Sequence, residues 1–361
     1  MFNYFKFLRG EIVKARSTST LAIILTVILV LMTVFSPKRV FSKDKSMKEI
    51  NIYTAIEDEF LNEYVNEFEK DYPDIKVNII RDSTGIVTAR LLAEKDNPKA
   101  DIVWGVAASS LLILDEEGSL YPYTPIGLEN VDEKFYDSKN EIPHWVGICL
   151  WTGAITVNTE ELEKNGLPMP TSYTDLLNPV YKNEMIMPDP GSSGTGFLMV
   201  SGWLQNDGEE NGWKFMDELN KNMKSYVHSG SLPTKSTATG EQAIGLGMDF
   251  ESLRMENKTP QIKTVFPSDI LPWEMEAVAL INKPHVKDEA KTFVDWAISK
   301  KTMDMYAKNR SLVSLKGAKS QLKGMPEDLS ERLCKNDFYW SSSNRKDILK
   351  EWNKRFSGEK K

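Results

Sequence analysis

Two short stretches carry the same set of small donors. Ser83, Thr84 and Gly85 follow the strand-like run "IKVNIIRD", and Ser192, Ser193, Gly194 and Thr195 follow "EMIMPDPG". In both, serine, threonine and glycine stand between an apolar run and a helix-like segment, "IVTARLL" or "FLMVSGWLQ". The first turn of a helix leaves backbone N–H groups unpaired and a partial positive charge. Hydroxyls add donors, and glycine lets a ligand approach the backbone. The chemistry on offer is capture of a tetrahedral oxyanion. Plain N-capping by Ser83, Thr84, Ser193 and Thr195 competes with this at either turn alone. Repetition of the pattern favours one anion clamped between two turns.

Other chemistries lack their residues. No G-x-x-x-x-G-K-[ST] phosphate loop and no G-x-S-x-G nucleophile turn occurs. The three histidines, His144, His228 and His285, are widely spaced and give no metal-ligand set. His228 and Ser229 lie in the donor-rich loop "YVHSGSLPTK", where the histidine can touch an anion. Carboxylates form a second theme. Glu57 follows the first strand-like run, Asp249 follows "GLGM", and Glu274 and Glu276 flank Met275. Each lies where a strand meets a loop. Donors at one end of a cleft and carboxylates at the other suit a zwitterion. Tyr53, Trp104, Trp151 and Trp273 are the aromatics near these points, placed either in the core or against a cation.

The elements that must position these residues alternate. "KEINIYTA", "IKVNIIRD" and "ADIVWG" read as strands, separated by helices. The first helix shows Phe60, Tyr64 and Phe68 on one face. This half is predicted to be α/β with a mostly parallel sheet. "HWVGICLWTGAITVN" reads as a long strand, broken by Gly147 and Gly153, that crosses between lobes. A second α/β series follows, and "MEAVALIN" returns the chain to the first lobe.

At 361 residues the chain is too long for one ordinary core. The net charge is −7, and the first 42 residues hold six Lys or Arg against one Glu, so the remainder is more acidic still. That excludes nucleic acid or an anionic membrane surface as main partner. Two cysteines, Cys149 and Cys334, are too few for a disulfide framework and read as buried thiols. The uncharged run Leu21 to Phe35 between basic flanks reads as an export signal or an uncleaved anchor, placing the body outside the cytoplasm.

The stretches "IYTAIEDEF", "RDSTGIVTARLLAEKDNPKADIVWG", "LPMPTSYTDLLNPVYKNEMIMPDPGSSGTGF" and "NDFYWSSSNRKDILKEWNKRF" together resemble the 2-aminoethylphosphonate-binding proteins of ABC importers, a group related to ferric-ion binding proteins. The resemblance covers about Lys48 to Phe356. It implies a two-lobe α/β fold of the type II periplasmic-binding-protein kind, closing by a hinge. The implied division is a signal or anchor segment with linker at 1–46, one lobe of 47–153 with 275–312, and another of 154–274 with 313–361. It implies a phosphonate held by Thr54, Ser83, Thr84, Gly85, Ser192, Ser193, Gly194, Thr195, His228 and Ser229. The amine would face Glu57, Asp249, Trp273 and Glu274. The adjacent tyrosines of the ferric-ion binders are replaced here by Asp249 and Phe250. The expected role is ligand binding without catalysis, cofactor or metal, as a monomer delivering to an ABC permease. A phosphorylated sugar or ferric ion is the alternative ligand. A secreted phosphonate or phosphoester hydrolase is the alternative from another class, and a two-lobe sensor domain a further one.

Overall fold

The computed structural model describes residues 47–356, so the export segment and the polar tail lie outside the described residues. Among the described residues no helix is long and apolar enough to cross a membrane. The chain opens as the alternation predicts. Strand β1 (Lys48–Thr54), helix α1 (Asp58–Asp71), β2 (Ile75–Arg81), α2 (Thr84–Ala93), β3 (Ile102–Ala107) and α3 (Ala108–Glu116) follow in turn. β1 is flanked in parallel by β2 and β3. α1 buries Phe60, Leu61, Tyr64 and Phe68 and leaves acidic Asp58 and Glu59 at its positive N-terminal end.

After the short β4 (Leu120–Tyr121) comes β5 (Val146–Asn158), all 13 residues of which are buried. The second series is α4 (Thr159–Asn165), β6 (Met185–Pro188), α5 (Gly194–Asp207), α6 (Glu209–Asn222), β7 (Met223–Val227), α7 (Leu232–Ala238), β8 (Ile244–Met248), α8 (Asp249–Glu256) and β9 (Ile262–Val265). The chain then forms β10 (Trp273–Ile281), α9 (Asp288–Ala297), α10 (Lys300–Ala307), β11 (Leu312–Val313), α11 (Leu329–Arg332) and α12 (Phe338–Phe356).

The strands run in the order β2-β1-β3-β10-β5-β8-β6-β7. β5 joins the two halves. Its residues 146–152 pair with β10, and residues 153–158 pair with β8 and β9. The expected break at the two glycines does not occur, because partners on both sides hold the strand straight through. Gly147, paired with Ala277, instead borders a register shift in the β5–β10 ladder, which falls between Glu276 and Ala277. Helix α12 reaches across both halves. Phe338 and Tyr339 pack on the cluster around Tyr53, Val103 and Leu111, while Trp352 stacks edge-on against Tyr226 of β7.

Candidate functional site

One cavity lies beyond the carboxyl ends of strands from both halves, where open α/β sheets bind ligands. Ala55, Glu57, Arg81, Ser83, Thr84 and Gly105 line it from the first half, with Trp151 of β5 and Glu276 of β10. Ser193, Gly194, Thr195, Gly230, Ser231 and Met248 line it from the second. The N-termini of α2 and α5 therefore face one space.

The two turns touch. The Gly85 N–H donates to the Ser192 carbonyl at 2.9 Å. A Cβ on Gly85 would lie 2.1 Å from the Gly191 carbonyl oxygen, and one on Gly194 2.9 Å from Thr84 Oγ1. These glycines are needed because two backbones meet there. Further pairs cross the same seam. His228 Nε2 lies 3.1 Å from Asp82 Oδ1, Arg254 is bonded to Glu59, and Lys235 is 3.8 Å from Glu59.

The hydroxyls differ in what they already do. Ser193 Oγ accepts from the N–H groups of Thr195 and Gly196 at 3.2 and 3.3 Å, so it does cap α5. Thr195 Oγ1 accepts from Trp151 Nε1 at 3.2 Å. An oxygen that accepts still has its own proton to donate, so both remain donors toward an anion. Ser83 occupies the N-cap position of α2 yet makes no side-chain cap. Capping therefore accounts for one serine and not the other.

The opposite wall is acidic. Arg310 lies beneath it, 1% exposed, and donates from Nη2 to Glu57 Oε2 at 3.1 Å and from Nε to Glu276 Oε2 at 3.2 Å. Its guanidinium sits 4.3 Å from the Phe250 ring centre and 4.7 Å from that of Phe60. The Cys149 thiol donates to Glu276 Oε2 at 2.9 Å. Burial pushes the Glu276 carboxyl up; Arg310 opposes this and Glu57 adds to it.

Of the residues the sequence singled out, Glu57, Ser83, Thr84, Trp151, Ser193, Gly194, Thr195 and Glu276 come together in the lining. Gly85, Ser192, Thr54, His228 and Ser229 lie outside that lining. Ser192 Oγ donates to the His228 carbonyl at 2.8 Å, Thr54 Oγ1 accepts from Ile56 N–H at 3.1 Å, and Ser229 Oγ accepts from Leu232 N–H at 3.2 Å. From the "HSGS" loop it is Gly230 and Ser231 that enter. Asp249, Glu274 and Trp273 are not brought into the lining. Asp249 Oδ2 accepts from Ser311 and Thr152 at 2.6 and 2.9 Å, and its Oδ1 from Phe250 N–H at 2.7 Å. Glu274 accepts from Ser109 Oγ and from the Met275 N–H. Trp273 borders a second cavity with Phe135, Leu150, Leu312 and Cys334, and its Nε1 donates to the Cys334 carbonyl at 2.9 Å. Arg81, Ser231 and Met248 were not singled out. Arg81 ends β2, directly before the Asp82–Ser83 turn, and that position was its only signal.

The histidines do supply one gathering that spacing concealed. Ligand atoms of Asp115, Asp137 and His144 lie within 4.8 Å of one another, away from the cavity. They are bonded among themselves and to the local backbone. Asp137 accepts from the N–H groups of Lys139 and His144 at 3.0 Å each, and His144 Nδ1 faces Asp115.

Three buried carboxyls set a pH dependence. Burial raises Asp249 to about 6, and Glu251 and Glu274 to about 7. Each binds its proton more tightly folded than unfolded. Between about pH 4 and 7 the native state therefore holds more protons, and stability falls as pH rises. The urea midpoint is expected to be lower at pH 7.5 than at pH 5.5. Glu274→Gln should flatten that slope by on the order of 2 kcal/mol. An unchanged slope in the variant would contradict a raised Glu274.

Comparison with known proteins places this architecture. Residues 97–339 match the family model described as bacterial extracellular solute-binding protein. An uncharacterized protein of Haemophilus influenzae is 30% identical over 286 residues, 77% of this chain and 82% of that protein. The probable ABC transporter periplasmic-binding protein y4fP of Sinorhizobium fredii is 24% identical over 64% of this chain and 65% of its own length. Among solved structures, the periplasmic binding protein AfuA from Actinobacillus pleuropneumoniae, with exogenous fructose-6-phosphate bound, superposes with a TM-score of 0.79. It is 26% identical and the match covers 87% of this chain and 100% of that one. The chain belongs to the bacterial extracellular solute-binding protein family. Its fold is the two-lobe α/β fold of periplasmic binding proteins, and family and fold alike are those of solute-binding proteins.

Proposed function

We propose that the chain captures a small organic phosphonate, with 2-aminoethylphosphonate as the leading ligand, and delivers it to an ABC permease in the membrane. The carrying observation is the shared lining: two helix N-termini with Ser83, Thr84, Ser193 and Thr195 around one cavity, and Glu57 and Glu276 opposite. The donors take the tetrahedral anion and the carboxylates take the far pole. Thr54, Gly85, Ser192, His228 and Ser229 support the turns from behind, and Asp249, Glu274 and Trp273 brace the strands. In this reading the lobes divide where β5 changes partners, near Thr152 and Gly153. An export signal or retained anchor in residues 1–46 keeps the body outside the cytoplasm.

A phosphorylated sugar is the second reading. The fructose-6-phosphate bound to AfuA favours it, because carboxylates also accept from sugar hydroxyls.

A thermal-shift panel of 2-aminoethylphosphonate, ethylphosphonate, fructose-6-phosphate, orthophosphate and ferric citrate tests both. A ligand at a hundred times its Kd stabilises the native state by about 2.7 kcal/mol. Phosphonates or phosphate esters are expected to raise Tm and to be recovered unchanged. A rise with ferric citrate alone, or hydrolysis of the ligand, would overturn the reading.

A further inference from the structure

Behind the second donor turn lies a residue that takes no part in the lining. Arg345 of α12 is 7% exposed. Its Nη2 donates to the Pro190 carbonyl at 3.4 Å, and its guanidinium lies 4.0 Å from the centre of the Phe197 ring. Pro190 directly precedes the turn, and Phe197 is the fourth residue of α5. Ser193, Gly194 and Thr195, which line the cavity, lie between these two anchors. One side chain therefore holds both ends of the donor-bearing segment.

The same side chain is a cation without a bonded counter-charge. Its Nη1 is buried without a partner, and among the described residues Arg345 forms no ion pair. The carboxyls of the elements around it are engaged elsewhere. Asp189 accepts from the Gly191 and Ser192 N–H groups at 2.8 and 3.3 Å. Asp337, just before α12, accepts from the Tyr339 and Trp340 N–H groups at 3.0 Å each. Glu274 of β10 acts on Arg345 through space only; it is bonded to Ser109 of α3 and to the Met275 N–H, and burial raises it to about 7. From Gly194 to Asn206, α5 has no charged side chain, and its N-terminus adds partial positive charge of the same sign. Burial accordingly lowers Arg345 to about 10, with Glu274 opposing the effect. A guanidinium so placed is unfavourable in the ligand-free protein, and an anion on the far side of the turn offsets it.

We propose that Arg345 is a positioning residue for anion capture: it pins the turn that carries Ser193, Gly194 and Thr195, and the captured anion is its counter-charge. The inference rests on the reading of the two donor turns as an anion cradle and adds to it a residue that does not touch the ligand. Each turn then has one arginine. Arg81 lines the cavity on the side of the first turn, its Nε held by the Ile56 carbonyl at 3.1 Å, and Arg345 stands behind the second. The hydroxyls and backbone N–H groups of the second turn are neutral donors, and Arg345 adds a full charge to their partial ones in a setting that water does not screen. It destabilises the ligand-free protein and stabilises the complex, as groups kept for function do.

Arg345→Met in the full chain tests this with two readouts at pH 6, where Glu274 is mostly protonated in the parent and, without the guanidinium, still more so. Methionine keeps an unbranched stem against Phe197. Calorimetry with 2-aminoethylphosphonate, ethylphosphonate and fructose-6-phosphate reads affinity, and thermal unfolding without ligand reads stability. Whichever of these anions the parent binds should bind about ten-fold more weakly to the variant, within the range of coupling between a site and a group it does not touch. The ligand-free Tm should stay at or above the parent's. A merely structural contact predicts the reverse for stability, so a clearly lower Tm, or a variant that does not fold, overturns the inference. Thr195→Val reports on the cradle separately and should weaken binding in its own right. If Thr195→Val binds weakly while Arg345→Met binds like the parent, the cradle stands and this inference falls. If neither variant weakens binding, or the parent binds none of the three anions, both fall.

Discussion

Gly85→Val is expected to weaken ligand binding by more than about a hundred-fold, because two or more charge-assisted hydrogen bonds of about 1.5–3 kcal/mol each are lost when the turns cannot meet. The argument is steric. A Cβ at this position would sit 2.1 Å from the Gly191 carbonyl oxygen and 2.9 Å from that of Ser192. Both are backbone atoms, so neither can swing aside. The Gly85-to-Ser192 hydrogen bond and the Asp82–His228 and Glu59–Arg254 pairs across the same seam would be strained or broken together. A valine faces no such obstacle once the lobes part, since Gly85 is not among the residues with positive φ. The ligand-free Tm should therefore stay close to the parent's. Small-angle scattering should show the parent compacting with ligand while the variant does not. A variant that compacts and binds normally would mean that the meeting of these turns is not the bound arrangement.

The part of the site legible in sequence is the part made locally. Ser83, Thr84, Ser193, Gly194 and Thr195 reach the lining because a strand end and the helix start after it are adjacent in the chain. Glu57, two residues into the turn after β1's last neighbour Ala55, is local in the same way. What escaped depends on distant partners. Asp249 looked available after "GLGM", but Ser311, 62 residues later, takes its carboxylate. Glu274 and Glu276 are two apart on one strand, and their sequence context does not separate them. The ladder does: Glu276 stands opposite Cys149 at the register shift, where Arg310 reaches it, while Glu274 turns to Ser109. In the "HSGS" loop the register missed by two residues, since Ser231 lines the cavity and Ser229 closes the turn before α7. The alternation of strands and helices announced the fold class for the same local reason. Strand order came only from pairing, whereas the passage of β5 between the halves was already legible in its long apolar run.

Arg310→Met should destabilise the protein by about 3–5 kcal/mol at pH 7.5, the cost of removing one partner from a buried ion pair. Methionine keeps an unbranched chain between the rings of Phe60 and Phe250, so most of the packing survives and the loss is chiefly of charge. Glu276 is then left without the guanidinium that opposes the effect of burial, and its carboxyl rises further than in the parent. The sign of the pH dependence follows. A carboxyl raised in the folded state destabilises once the pH exceeds its ordinary value, and the penalty grows until the folded value is passed. The variant should lose less stability at pH 5.5 than at pH 7.5 in urea unfolding. Adding Glu57→Gln and Glu276→Gln to Arg310→Met should recover much of the loss, because removing all members of a buried ionic cluster is far milder than removing one. That triple variant should no longer distinguish 2-aminoethylphosphonate from ethylphosphonate. If Arg310→Met alone is as stable as the parent at pH 7.5, the three side chains do not act as one ionic unit.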